Sequence, residues 1–271
     1  MQQRFGSEVR TFIRGGATPG GGAKGGAYTA CLDEQAPQAN AFAASMQYLT
    51  QGTYQFRVPA LYDRLTRSCA APALHVARLL PAPLPRAVEE EIAYQSLEGC
   101  QPGAARFLDS LEPSVLRQSR SFLDFQRHIA GLGLDQTSIA DVQLLYCDTA
   151  SFHDDAAFNT IFAAMHLAGA PGDVVFPRLG ARVHMTPGSL VLFDCREPHA
   201  FLPKGCLQWR APDAQGGCPA RGQTQLLSVD FDPLHRELRR CFGLCSDVRF
   251  DPRHHFDMTH RTVCPTTGRH L

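Results

Sequence analysis

Three side chains of this 271-residue chain have the types and spacing to hold a metal. His153, Asp154 and Asp155 make an H-x-D step directly after the run QLLYCD, and a second histidine, His199, follows SLVLFDCREP. Two imidazoles and one carboxylate on one face of a metal leave three coordination positions open, the donor set of non-heme Fe(II) oxygen chemistry. Two of those positions can chelate a 2-oxo acid and the third can take dioxygen. Asp154 is the spacer of the step and is expected to point away from the metal. A chain with 11 histidines and 26 acidic residues also produces H-x-D by accident, so the elements around the step must decide its meaning. His166 and His184 lie between the candidate ligands and are weaker replacements for either; His184, inside ARVHMTP, reads as a pocket or surface residue.

Those elements change texture along the chain. After Leu134 the runs DVQLLYCD, GDVVFP, ARVHMTP, SLVLFD and TQLLSVDF are short, β-branched or aromatic, and separated by Gly, Pro and Asp, a pattern of short strands belonging to a sandwich or jelly roll. Before it, the composition favours helix and loop. Gly15 to Gly26 reads GGATPGGGAKGG, too glycine-rich for a packed element and lacking the spacing and hydroxyl of a phosphate-binding loop. Phe56 to Leu65 contains a predicted short helix after Pro59. Pro81, Pro83 and Pro85 mark a stiff connector, after which a helix is expected over Arg86 to Leu97. Phe107 to Leu134 continue the helical character, with apolar positions at Leu108, Leu111, Val115, Phe122, Phe125 and Ile129.

With the strand-like VQLLYCDTASFHDD ahead of the H-x-D step and GDVVFPRLGARVHMTPGSLVLFDCREPHAFLP running up to His199, the sequence resembles the Fe(II)/2-oxoglutarate-dependent dioxygenase superfamily. The first stretch is similar to the tyrosine-containing strand that leads into the iron motif of prolyl-4-hydroxylase-like members. The second is similar to their run through a turn at Gly172, Phe176-Pro177, a turn at Pro187-Gly188 and a strand ending in Phe. PRLGARV followed by PGSLVLF also looks like the 5-methylpyrimidine oxygenases of the TET/JBP type. The resemblance spans about Val142 to Phe231, gives no match for the first half, and implies a double-stranded β-helix (jelly-roll) core; with the mainly helical N-terminal half read from its residues packed against that core, the expected fold is α+β. Together with the change in texture along the chain, this gives a flexible Gly-rich arm (1–30), a dioxygenase domain (31–240, helical support 31–135 and jelly-roll core 136–235) and a Cys/His-containing tail (241–271).

The same resemblance implies Fe(II) held by His153, Asp155 and His199, with 2-oxoglutarate as co-substrate and ascorbate as an optional accessory reductant. A basic residue on the last core strand would pair with the distal carboxylate of 2-oxoglutarate, a task suited to the arginine fork. Arg221 is the first choice, because strand alternation puts it on one face with Leu227, Val229 and Phe231; Arg210 fits the usual gap from His199 better but lies in a poorer strand. The phenol of Tyr146 is a further donor to the co-substrate. The implied reaction hydroxylates an unactivated C–H bond of a protein side chain or small molecule, releasing succinate and CO2. Because Asp155 is present, hydroxylation is favoured over halogenation, whose enzymes in this superfamily lack the carboxylate.

Lys plus Arg equals Asp plus Glu at 26 each, so no global field draws the chain to nucleic acid or an acidic membrane. Nucleic acid is thus the less favoured partner, although Arg4, Arg10, Arg14 and Lys24 in the arm offer phosphate contacts. The N-terminus MQQRFGSEVRTF lacks the apolar core of a secretory signal, and no run approaches ~18 apolar residues, so an intracellular, soluble protein is expected. The 10 cysteines read mostly as reduced, partly buried thiols, with bridges as the alternative if the protein is exported. Cys241, Cys245, His260 and Cys264 come close to a structural zinc pattern but lack an evident hairpin and helix between them. The non-enzymatic alternative is a cupin-like or lectin-like jelly roll that binds a ligand without redox chemistry.

Overall fold

The computed structural model describes residues 46–56, 61–63, 68–70, 73–97, 105–107, 113–147, 150–154, 161–195, 197–203, 224–232, 235–238 and 261–262. The fold is mixed α/β and mostly β. The first half contributes β1 (Gln47–Leu49), β2 (Gly52–Gln55), β3 (Leu61–Asp63), β4 (Ser68–Ala70), β5 (Ala73–Arg78) and β6 (Ala105–Phe107), with helices α1 (Arg86–Leu97), α2 (Pro113–Gln118) and α3 (Arg120–Ala130). The second half contributes β7 (Ile139–Cys147), β8 (Ala150–Asp154), β9 (Ile161–Gly169), β10 (Gly172–Phe176), β11 (Ala181–Met185), β12 (Ser189–Asp194), β13 (His199–Pro203), β14 (Thr224–Phe231) and β15 (Arg261–Thr262).

Local chemistry accounts for the helices. At α1 the amides of Val88 and Glu89 reach the carbonyl of Pro85 at 2.9 and 3.1 Å, so the proline fixes the entry. Ser119 caps α3 by accepting from the amide of Phe122 at 3.2 Å. Ser121, Phe122, Phe125 and Ile129 then form a buried stripe at helical spacing.

Two sheets hold the strands. One has the order β1-β11-β10-β13-β8-β15 and the other β2-β5-β12-β9-β14-β7-β6. From β7 to β14 the chain passes back and forth between them, which builds two distinct cores. Leu49, Val174, Phe176, Val183, Met185 and Phe201 of the six-stranded sheet meet Leu74, Val76, Ala164, Val191, Phe193 and Leu226 of the seven-stranded one. On the far face of the seven-stranded sheet, Val142, Leu144, Met165, Leu192, Leu227, Val229 and Phe231 pack against Val88, Leu116, Phe122, Phe125 and Ile129 of the helices.

This arrangement corrects the expectation of a mainly helical first half. Residues 31–135 do supply the three helices, but β1, β2, β5 and β6 are built into the two sheets. β5, ALHVAR, is buried on both faces, so it shows an apolar run rather than alternation. The short helix expected after Pro59 is replaced by β3, which pairs with β4. The arm at 1–30 and all of the tail at 241–271 except β15 lie outside the described residues.

Candidate functional site

β13 pairs with β8 so that His199 lies opposite His153, with an irregularity in register before Phe201 meets Ala150. The two histidines singled out from sequence are thus brought to one point of one sheet. The His199 ring sits in the inter-sheet core, 4.8 Å from the Phe193 ring centroid and 6.5 Å from that of Phe176. Its Nδ1 is 2.8 Å from the backbone carbonyl of Glu197. A carbonyl only accepts, so Nδ1 carries the proton and the neutral ring has its lone pair at Nε2. That is the tautomer of a histidine that ligates through Nε2.

Glu197 is itself clamped. Its carboxylate, on a residue only 3 % exposed, takes Arg178 Nε at 3.0 Å from Oε1 and 3.1 Å from Oε2, and Arg178 Nη2 also donates to Oε2. Arg178 lies in the short helical turn Pro177–Leu179 that follows β10. The amide of Glu197 donates to the carbonyl of Asp194 at 2.8 Å, tying the same turn to the end of β12.

Two polar atoms facing the inter-sheet space have no partner among the described residues. On β9, Phe162 and Ala164 pack into the inter-sheet core, and His166 continues that face with its Nδ1 buried and unbonded, while its Nε2 donates to the carbonyl of Ala170 at 3.0 Å. Burial pushes the His166 imidazole below its ordinary pKa, although the Ala170 carbonyl acts in the opposite sense. Ser228 shares a face with Leu226, and its Oγ is likewise buried without a bond. Buried polar groups of this kind normally find a partner, so a polar occupant here would be stabilised.

Tyr146 is fully buried in the helix-side core, whereas its neighbour Leu145 packs toward the inter-sheet core. Alternation on β7 thus sets Tyr146 on the face opposite that of Leu145. Leu227, Val229 and Phe231 also face the helices. Arg221, Arg210 and Asp155 lie outside the described residues, as do Cys241, Cys245, His260 and Cys264. Cys195 is fully buried. Among the described residues, no group of three or more His, Cys, Asp or Glu is gathered for a metal.

His184 lies on the outer face of the six-stranded sheet. Its Nδ1 is 2.8 Å from Asp173 Oδ1, and the other carboxylate oxygen accepts from the Tyr48 hydroxyl at 2.9 Å. The Arg182 guanidinium stacks 3.7 Å over the Tyr48 ring. Burial, and then the bond to Asp173, raise the Tyr48 phenol above its ordinary pKa. These residues serve the sheet surface, so His184 does not replace either candidate ligand. Among the described residues no helix is long and apolar enough to cross a membrane.

No family model and no curated protein matches the chain. Among solved structures it is similar to EvdO2 from Micromonospora carbonacea var. aurantiaca, complexed with 2-oxoglutarate, at 13% identity and a TM-score of 0.38, covering 68% of this chain and 92% of that one. It is also similar to the viral collagen prolyl hydroxylase vCPH from Paramecium Bursaria Chlorella virus-1, a 2OG complex, at 16% identity and 0.29, covering 58% and 94%. A third, the polyketide cyclase RemF from Streptomyces resistomycificus, matches at 17% identity and 0.24, and the chain spans 57% of its length with 36% of its own. Likenesses this distant assign no chemistry to the chain.

Proposed function

We propose that the protein is an Fe(II)- and 2-oxoglutarate-dependent dioxygenase whose strands β7 to β14 form a double-stranded β-helix, with His153, Asp155 and His199 as iron ligands. The observation that carries this reading is the register that sets His199 opposite His153 with the His199 proton held on Nδ1. Directly opposed residues of an antiparallel pair project side by side from one face, close enough for two imidazoles to share one ion. Asp155, two residues beyond His153, completes the donor set expected for ferrous iron. The donors therefore fit the metal.

Iron bound there would supply the redox chemistry that couples decarboxylation of 2-oxoglutarate to oxidation of a C–H bond, yielding succinate and CO2. The chain contributes the frame. Glu197 sets which nitrogen of His199 is presented, while Phe193 and Phe176 fix the plane of its ring. Apolar walls from both sheets exclude bulk water; the Ser228 hydroxyl can donate to an acidic co-substrate, and the unbonded Nδ1 of His166, an acceptor because the ring proton is on Nε2, can take a bond from water held with it. Arg221 or Arg210, both from the segment before β14, is assigned to the distal carboxylate of 2-oxoglutarate. The prime substrate belongs to the class of protein side chains or small molecules with an unactivated C–H bond.

The test is succinate release from 2-oxoglutarate by the full chain with Fe(II) and ascorbate. His153→Ala, Asp155→Ala and His199→Ala should each lower turnover at least about 100-fold while the protein stays folded. Full activity in all three would remove the site, and a wild-type protein without turnover that still binds an organic acid would favour the cupin-like alternative.

A further inference from the structure

We infer that Arg178 and Glu197 are positioning residues that select the Nδ1–H tautomer of His199, so that Nε2 is the nitrogen offered to a metal. The inference deepens the iron reading and rests on it for its functional consequence, but its structural core does not. Glu197 contributes to His199 through its backbone: the carbonyl of residue 197 takes the Nδ1 proton at 2.8 Å. Where that carbonyl points depends on how residue 197 is held in the turn between β12 and β13. Its amide is fixed to Asp194 at 2.8 Å, and its carboxylate is gripped from the turn after β10 by Arg178 Nε at 3.0 and 3.1 Å together with Nη2. The turns after two different strands are thereby locked to each other beside the ring.

A buried ion pair is an expensive way to stabilise a fold, because each charge must leave water and apolar replacements of similar volume often do as well. Arg178 is 9 % exposed and Glu197 3 %. A planar two-nitrogen grip nevertheless achieves what apolar packing does not: it fixes direction. The direction fixed here is that of the Glu197 carbonyl, which bonds His199 Nδ1. Partners in this position orient a ligating imidazole and typically change metal affinity 10–100-fold when removed, though they never touch the metal.

The experiment uses the full, metal-free chain labelled with 15N at histidine, with His199 assigned by His199→Gln. In the wild type, long-range 1H–15N spectra should show His199 protonated at Nδ1. Arg178→Lys keeps the charge but loses the planar grip, and Arg178→Met with Glu197→Met removes both charges without stranding either. Both variants should show His199 as a mixture of tautomers, and their affinity for Co(II), used as a spectroscopic probe, should fall about 10–100-fold. Folded variants that retain a single Nδ1–H tautomer overturn the inference, as does a shifted tautomer with unaltered Co(II) affinity. Wild-type protein that binds no Co(II) would instead remove the iron reading, and the tautomer spectra alone would then decide whether Arg178 and Glu197 position the ring.

Discussion

His75 and His128 form a pair in which two Nε2 atoms lie 2.8 Å apart, with the Thr53 hydroxyl 2.7 Å from His75 Nδ1. One proton sits between the two rings, so both cannot be charged. Burial, and then the neighbouring His128, push His75 down to about 4, and burial lowers His128 as well. An unfolded histidine titrates near 6.5, so between about 6.5 and 4 the unfolded chain binds more protons and stability falls as the pH is lowered. The melting temperature should therefore drop by about 4 °C or more between pH 7 and pH 4.5, and less in the double variant His75→Gln, His128→Gln. Residues of the candidate site differ in how readable they are from sequence. His153 and His199 stand out because each follows a strand-like run. The Arg178–Glu197 pair joins two turns, and its signal in the sequence is limited to charges inside the otherwise apolar FPRLG and the turn CREPH. Alternation groups Leu227, Val229 and Phe231 on one face of their strand, but it does not tell which core that face looks toward.

β12 illustrates how one element depends on a single backbone geometry. Gly188, just before it, has φ +88°, and a Cβ there would meet the Leu79 carbonyl oxygen at 2.2 Å. The same residue bonds outward on both sides, its amide to His166 at 2.9 Å and its carbonyl to Leu79 at 2.8 Å. Gly188→Ala should cost roughly 2–4 kcal/mol from left-handed strain and overpacking, measured by denaturant unfolding. A second close approach is made by Gly172 of β10, where a Cβ would meet Phe201 Cζ at 2.3 Å. The strands SLVLFD and TQLLSVDF and the helix Arg86–Leu97 are legible to their ends, because turn residues and prolines bound them on both sides. β9, IFAAMHLAG, is not, since its alanines and methionine carry little strand preference and both its faces are buried, erasing the period of two. The same loss of alternation hides β5.

At the scale of the whole molecule, the seven-stranded sheet separates a helix-side core from the inter-sheet core that holds His199. Phe125 lies in the former, its ring 5.9 Å from Phe122 and 6.2 Å from Phe231. Phe125→Ala should cost about 3–5 kcal/mol in unfolding yet leave the His199 tautomer unchanged at temperatures where the variant is folded. The six-stranded sheet is finished at its two borders by strands from distant parts of the chain, β1 beside β11 and the two-residue β15 beside β8. Thr262 of β15 lies opposite His153, and His199 lies opposite it on the other side. Take that short seam away and the strand bearing His153 becomes a raw edge, its outward amides left to solvent or to any extended chain that drifts past. A cut more than a hundred residues downstream would then reach the imidazole by way of main-chain pairing alone, which makes the C-terminal strand a guard of the motif it never resembles in sequence.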